Sequence, residues 1–342
     1  MSADLLTRAI DALADRRDLT QEQTAEVLAE MMAGNATEIQ IAAFLIALRT
    51  KGETVEELAG LAQAMRSLAT RVEVEHEDLL DTAGTGGGRR TFNVSTTAAL
   101  IAAGAGCVVA KHGNRSATGL SGSADLLEAL GARIDLDPSA VARCIEEVGF
   151  GFMFAPVHHQ ATRYVVPVRR GLAVRTIFNF LGPLTNPAGA TRQVIGVSDP
   201  AYLETMAGAL ALLGTRHALL VSSDDGLDEL SISGTTYVVE VRGEELRSYA
   251  VTPEEVGLTR APARAIPGGD PAQNADTTRR IFAAEAGPAR DLAALNAGAA
   301  VYAGGRASTL ADGVRLAEEA IDSGAAAEAL ERFVARTQEL GG

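Results

Sequence analysis

Residues 81–96 read Asp-Thr-Ala-Gly-Thr-Gly-Gly-Gly-Arg-Arg-Thr-Phe-Asn-Val-Ser-Thr. The apolar run Leu79–Ala83 enters this stretch as a strand, a glycine loop follows, and a helix over Ser95–Ala103 opens after Asn93. Strand, glycine loop and helix N-terminus make an anion site. Glycines admit a ligand close to the backbone, and free N–H groups at the helix start face it. The loop is neither a Walker A loop, which needs Gly-Lys-Ser/Thr, nor GxGxxG with its downstream acid. Taken alone it is also compatible with a flexible turn.

Downstream, short apolar runs alternate with helical stretches. Strands are expected at Val108–Ala110, Phe152–Ala155, Val194–Val197, Ala218–Ser222 and Tyr237–Val241. Helices are expected at Ser123–Ala129, Pro138–Glu147, Ala201–Leu213 and Leu292–Tyr302, with Asp137-Pro138 as a helix start. This alternation predicts an α/β domain with a mostly parallel sheet. Upstream, the first 70 or so residues read as all helix. Thr20 with Gln23 and Thr54 with Glu57 fit capping boxes, and Gly34 and Gly52 stand where helices would end. We expect a helical domain over 1–72, joined by part of 158–187, and an α/β domain over 73–342.

Composition narrows the function. A net charge of −14 makes the chain a poor general binder of nucleic acid, whose phosphates need Lys and Arg. Cys107 and Cys144, without a CxxC or ligand-spaced His, suggest neither a disulfide framework nor a zinc site. The longest uncharged apolar run, Thr96–Ala110, is broken by Gly104 and Gly106 and falls short of the ~20 residues of a membrane span. The first residues read as an amphipathic helix rather than a secretory leader, so a cytoplasmic location is expected.

Four further stretches carry chemistry. Lys111-His112-Gly113-Asn114-Arg115-Ser116 follows a strand end, where open α/β sheets bind ligands; its cations suit phosphate, though a solvated polar loop reads the same. Gly122-Ser123-Ala124-Asp125 opens a helix, as an anion site or as an ordinary Ser cap. Asp224-Asp225-Gly226-Leu227-Asp228-Glu229 offers adjacent carboxylates for Mg²⁺ on a pyrophosphate, or an acidic turn. Arg169-Arg170 could pair with a carboxylate or lie on the surface.

Taken in order, Gly84-Thr85-Gly86-Gly87, Asn93-Val94-Ser95-Thr96, Lys111 to Arg115, Gly122 to Asp125, Asn179-Phe180-Leu181-Gly182-Pro183-Leu184-Thr185-Asn186-Pro187 and Asp228-Glu229-Leu230 resemble the anthranilate phosphoribosyltransferases over nearly the whole chain. The resemblance implies a small helical domain and a larger α/β domain of the type shared with nucleoside phosphorylases, with the active site in the cleft between them. It implies transfer of the phosphoribosyl group of phosphoribosyl pyrophosphate (PRPP) to anthranilate in tryptophan biosynthesis, with Mg²⁺, by a homodimer. By motif match, Gly84, Gly87, Gly88, Thr91, Asn93, Val94, Ser95, Thr96, Lys111, His112, Gly113, Asn114, Arg115, Ser116, Ala117, Thr118, Gly119 and Ser123 would surround PRPP. Ser95, Asp228 and Glu229 would serve the metal, and Gly84, Asn114 and Arg169 would contact anthranilate.

Two departures from the family pattern stand in the phosphate region. The glycine loop is one residue shorter and lacks its usual Asp, near whose place Gly88 stands. Thr118-Gly119-Leu120 replaces a Ser-Ser-Lys-like stretch. A pyrimidine nucleoside phosphorylase would carry a Lys-His-Ser type motif where this chain has Lys-His-Gly-Asn-Arg. An ordinary phosphoribosyltransferase would place a Thr-Gly phosphate loop after the acids Asp224 and Asp225.

Overall fold

The computed structural model describes residues 2–116 and 119–341. The chain begins with helices α1 (Ser2–Ala14), α2 (Gln21–Met32), α3 (Glu38–Lys51) and α4 (Val55–Leu68). The last three start with the same device, a threonine hydroxyl accepting the N–H three residues on while that residue's side chain returns a bond. The Thr20/Gln23 and Thr54/Glu57 pairs are legible in the sequence; Thr37/Gln40 is a third. Each cap contributes about 1 kcal/mol. The φ angles of Gly34 and Gly52 are +79° and +93°, which releases the chain from α2 and α3 without strain. The fully buried Glu57 carboxylate also accepts from the Leu19 N–H and from Lys51 Nζ, both at 2.9 Å. A buried charge is tolerable because it is paired on every side.

The rest of the chain alternates: β1 (Leu80–Gly84), α5 (Val94–Gly104), β2 (Val109–Gly113), α6 (Ser123–Ala129), α7 (Pro138–Val148), β3 (Phe150–Phe154), α8 (Ala155–His158), α9 (Val166–Leu172), α10 (Phe178–Leu184), β4 (Arg192–Gly196), α11 (Leu203–Leu212), β5 (His217–Ser223), β6 (Thr236–Arg242) and β7 (Glu245–Val251). It ends with α12 (Pro271–Phe282), α13 (Pro288–Ala303), α14 (Leu310–Asp322) and α15 (Ala325–Leu340). The described strands form one sheet in the order β3-β2-β1-β4-β5-β6-β7. Pairing is parallel from β3 to β5, and β6 and β7 add antiparallel. The sheet is therefore mostly parallel, and its six anticipated strands are present with shifted ends. Ala155, expected to close β3, instead opens α8, where Pro156 suits a first turn.

Alternating side chains send the two faces of the sheet into different cores. Val194, Leu219 and Val238 pack with α5, α13 and α15, while Ile195, Leu220 and Val239 pack with α11 and the helical start. Val165, Val168, Ile177 and Leu181, from the segment between β3 and β4, join that second core beside Leu45 and Leu61. The chain thus leaves the sheet after β3, packs on the helices and returns as β4. Because β2 and β4 flank β1 on opposite sides, the connections after β1 and β4 diverge and open a crevice at their carboxyl ends. Among the described residues no helix is long and apolar enough to cross a membrane.

Candidate active site

At that crevice Gly84, the last residue of β1, lies in register with Gly196, the last of β4. A methyl group on Gly196 would land on the Asp228 carbonyl, so the absence of a side chain there lets the Asp228-Glu229 turn sit directly on the strand ends. Gly88 serves likewise, since a Cβ on it would come within 2.8 Å of the Asp228 N. Gly86 and Gly87 have φ of +69° and +88°, the left-handed region that L side chains avoid. The ends of the loop are tied down. Thr85 N donates to the Gly196 carbonyl at 2.8 Å, and Arg89 N donates to the Gly226 carbonyl at 2.7 Å. The glycine loop and the Asp228-Glu229 pair, 140 or so residues apart, are thereby brought together, and the Gly86 N–H donates to the Asp228 carboxylate.

Glu229 accepts from the Ser95 N–H at the start of α5, which joins Ser95 to the carboxylate pair. Burial, reinforced by the Asp228 charge, pushes the Glu229 carboxyl up to about 8 despite the nearby Lys111 cation. Burial likewise raises Asp228. Two adjacent carboxyls driven toward protonation form an oxygen donor set that a divalent cation would relieve. Among the described residues no three His, Cys, Asp or Glu cluster to cage a metal. A pair of carboxylates completed by substrate oxygens suits Mg²⁺, which keeps few protein ligands. Asp225 is occupied otherwise: its carboxylate accepts from Ser231 Oγ at 2.8 Å and Arg89 Nη2 at 3.1 Å.

The residues after β2 divide. Lys111 is fully buried, and its Nζ donates to the carbonyl and, at 3.3 Å, the hydroxyl of Thr82. Burial lowers its pKa, while Asp81 and Glu229 oppose the fall. His112 is buried, donates its backbone N–H to Asp81 Oδ1 at 3.1 Å, and has its ring 5.0 Å from that of His159. Burial keeps it neutral. Asn114 is exposed, whereas Arg115 Nη1 and Nη2 reach Asp125 at 2.8 Å and Glu128 at 2.5 and 2.8 Å. Ser123 Oγ donates to the Asn114 carbonyl, and Gly119 N donates to Ser116 Oγ, so this loop folds back on the start of α6. Gly113 has no room for a Cβ beside Ser123 and Phe152. Ala117 and Thr118 lie outside the described residues. Asn93 fixes the other edge: its Oδ1 accepts from Ser121 Oγ and Asn274 Nδ2, both at 2.9 Å. Val94 and Thr96 are buried at the start of α5, and Thr91 is half-buried, its hydroxyl on the Phe92 carbonyl.

Arg169, half-buried on α9, lies over the Phe178 ring at 5.3 Å, and its guanidinium makes no hydrogen bond or ion pair among the described residues. Arg170 is exposed.

The glycosyl transferase family helical bundle domain matches residues 7–69, and the glycosyl transferase family a/b domain matches residues 76–327. An anthranilate phosphoribosyltransferase of Symbiobacterium thermophilum is 52% identical over 96% of both chains. The chain belongs to the anthranilate phosphoribosyltransferase family. The crystal structure of the family member from Thermus thermophilus is 48% identical, covers 96% of this chain and 99% of its own, and superposes with a TM-score of 0.91. The Saccharomyces cerevisiae member, solved in complex with PRPP and Mg, is 27% identical over 98% of both chains, with a TM-score of 0.88. The small helical domain and mostly parallel α/β domain expected from the sequence are those of the family.

Several side chains that shape the crevice carry no role in the sequence analysis. Asp81, buried, accepts from Asn186 Nδ2 at 2.8 Å, which joins β1 to the Asn179–Pro187 motif. Arg175 Nη2 donates to the Gly86 carbonyl at 2.6 Å and to Ser198 Oγ at 3.0 Å. Asp81 opens the residues 81–96 stretch and Asn186 is the last residue but one of the Asn179–Pro187 motif, so both lie in local patterns. Ser198 and Arg175 had no local signal.

Proposed function

We propose that the chain transfers the phosphoribosyl group of PRPP to the amine of anthranilate, giving N-(5-phosphoribosyl)anthranilate and pyrophosphate in tryptophan biosynthesis. The observation that carries this reading is the contact of the glycine loop with the Asp228-Glu229 turn at the β1/β4 crevice. There a pyrophosphate would meet backbone N–H groups on one side and a metal-binding carboxylate pair on the other. In this reading Gly84, Gly87, Gly88, Thr91, Asn93 to Thr96, the 111–119 stretch and Ser123 surround PRPP. Ser95, Asp228 and Glu229 hold Mg²⁺, which when bound would offset charge on the departing pyrophosphate.

Lys111 and Arg115 enter this scheme differently from a simple pair of phosphate cations. Lys111 stiffens β1 and the Glu229 environment from beneath, and Arg115 pins the loop that carries Asn114. Arg169, its guanidinium free over Phe178, receives the anthranilate carboxylate as a two-pronged pair, with Gly84 and Asn114 beside the ring and amine. The aromatic amine is neutral near pH 7, so no general base is assigned; the residues act by holding amine and ribose C1 in line. We also propose residues 1–72 with part of 158–187 as the helical unit, a cytoplasmic location, and a homodimer. Ile39, Ile46 and Val166, exposed on α3 and α9, are an apolar face that a second copy would cover.

The test is the loss of anthranilate fluorescence on addition of PRPP and Mg²⁺, with pyrophosphate release in step. A protein that leaves anthranilate unchanged but splits pyrimidine nucleosides with phosphate overturns the reading.

A further inference from the structure

We propose that Arg175 is a positioning residue that clamps the middle of the glycine loop and links it to the helical domain; this rests on the reading of residues 84–88 as the PRPP cradle. The ends of the loop are fixed by backbone bonds at Thr85 and Arg89. Its middle consists of Gly86 and Gly87, both at positive φ, where a peptide unit turns easily and the chain has the most freedom to lose. Arg175 holds the Gly86 carbonyl at 2.6 Å, and a methyl on Gly87 would land on the same guanidinium. Fixing that carbonyl fixes the direction of the Gly87 N–H in the same peptide unit, and an anion site depends on such directions. Ser198 is the second post: its Oγ accepts from Arg175 at 3.0 Å, and its N–H donates to Thr85 Oγ1 at 3.0 Å.

Two other arginines of the site are committed to carboxylates, Arg89 to Asp225 and Arg115 to Asp125 and Glu128. Arg175 meets the loop through neutral acceptors and so holds it without an ion pair to break. It is carried by the segment between α9 and α10, and its own carbonyl accepts from Arg49 Nη1 of α3 at 2.9 Å. Two guanidinium groups in series thus run from the helical bundle to the phosphate loop. Beside them lies an open hollow lined by Glu53, Thr176 and Tyr202, which leaves the Arg175 side chain room to follow a movement of either part.

Steady-state kinetics of Arg175→Ala, Arg175→Lys, Ser198→Ala and Arg49→Ala test the clamp. Loss of one exposed charge-assisted bond predicts an about tenfold rise in KM for PRPP in Arg175→Ala, with kcat and KM for anthranilate within about twofold of the parent. Lys, a single point charge, should recover part of the loss, because it reaches one acceptor but not both. Ser198→Ala and Arg49→Ala should raise the same constant by about threefold, since each removes a support of Arg175 and leaves its bond to the loop in place. An unchanged KM for PRPP in Arg175→Ala overturns the clamp, as does an equal rise in both Michaelis constants. Arg175 is exposed, and thermal melting should match the parent; should it not, Ser198→Ala decides by the same criterion. The parent separates the two readings. A parent that turns over beside an unaffected Arg175→Ala overturns the clamp alone, whereas a parent that consumes no anthranilate with PRPP overturns the function beneath it.

Discussion

Replacing Gly196 by Ala tests whether the carboxylate pair must sit on the strand ends. The added methyl would fall on the Asp228 carbonyl, and Gly196 is central in the sheet, bonded in register between Gly84 and Val221. A carbon and a carbonyl oxygen approach no closer than about 3.3 Å, so the turn carrying Asp228 and Glu229 must lift by at least about 1 Å. Overpacking of this kind costs about 1–3 kcal/mol of stability, a fall of a few degrees in melting temperature, so the protein should still fold. The chemistry should suffer more. A misplacement of about 1 Å at a catalytic group costs on the order of a hundredfold in rate. We expect kcat to fall about that far, with more Mg²⁺ needed for half-maximal rate. The assay is anthranilate fluorescence over a Mg²⁺ series, with melting followed in parallel. Gly171→Ala is the control, since a Cβ there meets nothing within 4 Å. Parent-like kcat and Mg²⁺ dependence in Gly196→Ala would refute the argument that this turn must rest on β4.

Changing Asp228 to Asn together with Glu229 to Gln should abolish Mg²⁺-dependent turnover without unfolding the protein; retained turnover removes the metal assignment. Arg169→Ala should raise KM for anthranilate by roughly ten- to hundredfold, the worth of a charged hydrogen bond, while exposed Arg170→Ala should not. The reverse pattern in the same kinetics would move the carboxylate site. Buried Glu240 accepts from His217 at 2.9 Å, Arg242 at 2.8 Å and Tyr302 at 3.0 Å, bonds that outweigh its burial and hold its carboxyl down to about 2. A depressed carboxyl stabilises the fold above its unfolded value of 4.5, and that contribution is lost as pH falls toward 2. Melting at pH 3.5 against 5.5 should show a loss of about 1 kcal/mol, allowing for solvent around Arg242, and Glu240→Gln should flatten it.

Six strands were legible because each is a short, largely apolar run set between helical stretches or turns. The seventh, β7, was not: Glu245-Leu246-Arg247-Ser248 is exposed at every position and only Tyr249 and Val251 reach the core, so this edge strand left no alternation to read. α12 escaped although Asp270 caps it with Gln273, because its sequence is charged and polar. In the site, the glycine loop, Asn93, Asn114 and the Asp228-Glu229 pair are local motifs and could be quoted. The fates of Lys111 and Arg115 could not, since burial under β1 and a pairing with Glu128 are decided by packing. Arg175 meets Gly86 across 89 residues and Ser198 meets Thr85 across 113, distances at which no local pattern survives.

The sequence contains two lysines against 28 arginines. Lys51 lies against Glu57 with 4% of its side chain exposed, and Lys111 is shut beneath β1. The folded chain therefore offers amine-directed reagents almost no lysine, while its exposed cations are guanidinium groups that such reagents pass over. Acylation of either lysine in this protein would be an event of opening rather than of surface chemistry. The two positions would also report on different places, Lys51 on the joint between α3 and α4 and Lys111 on the floor of the crevice beneath the glycine loop. A labelling time course read by mass spectrometry would then resolve which part of the molecule breathes first.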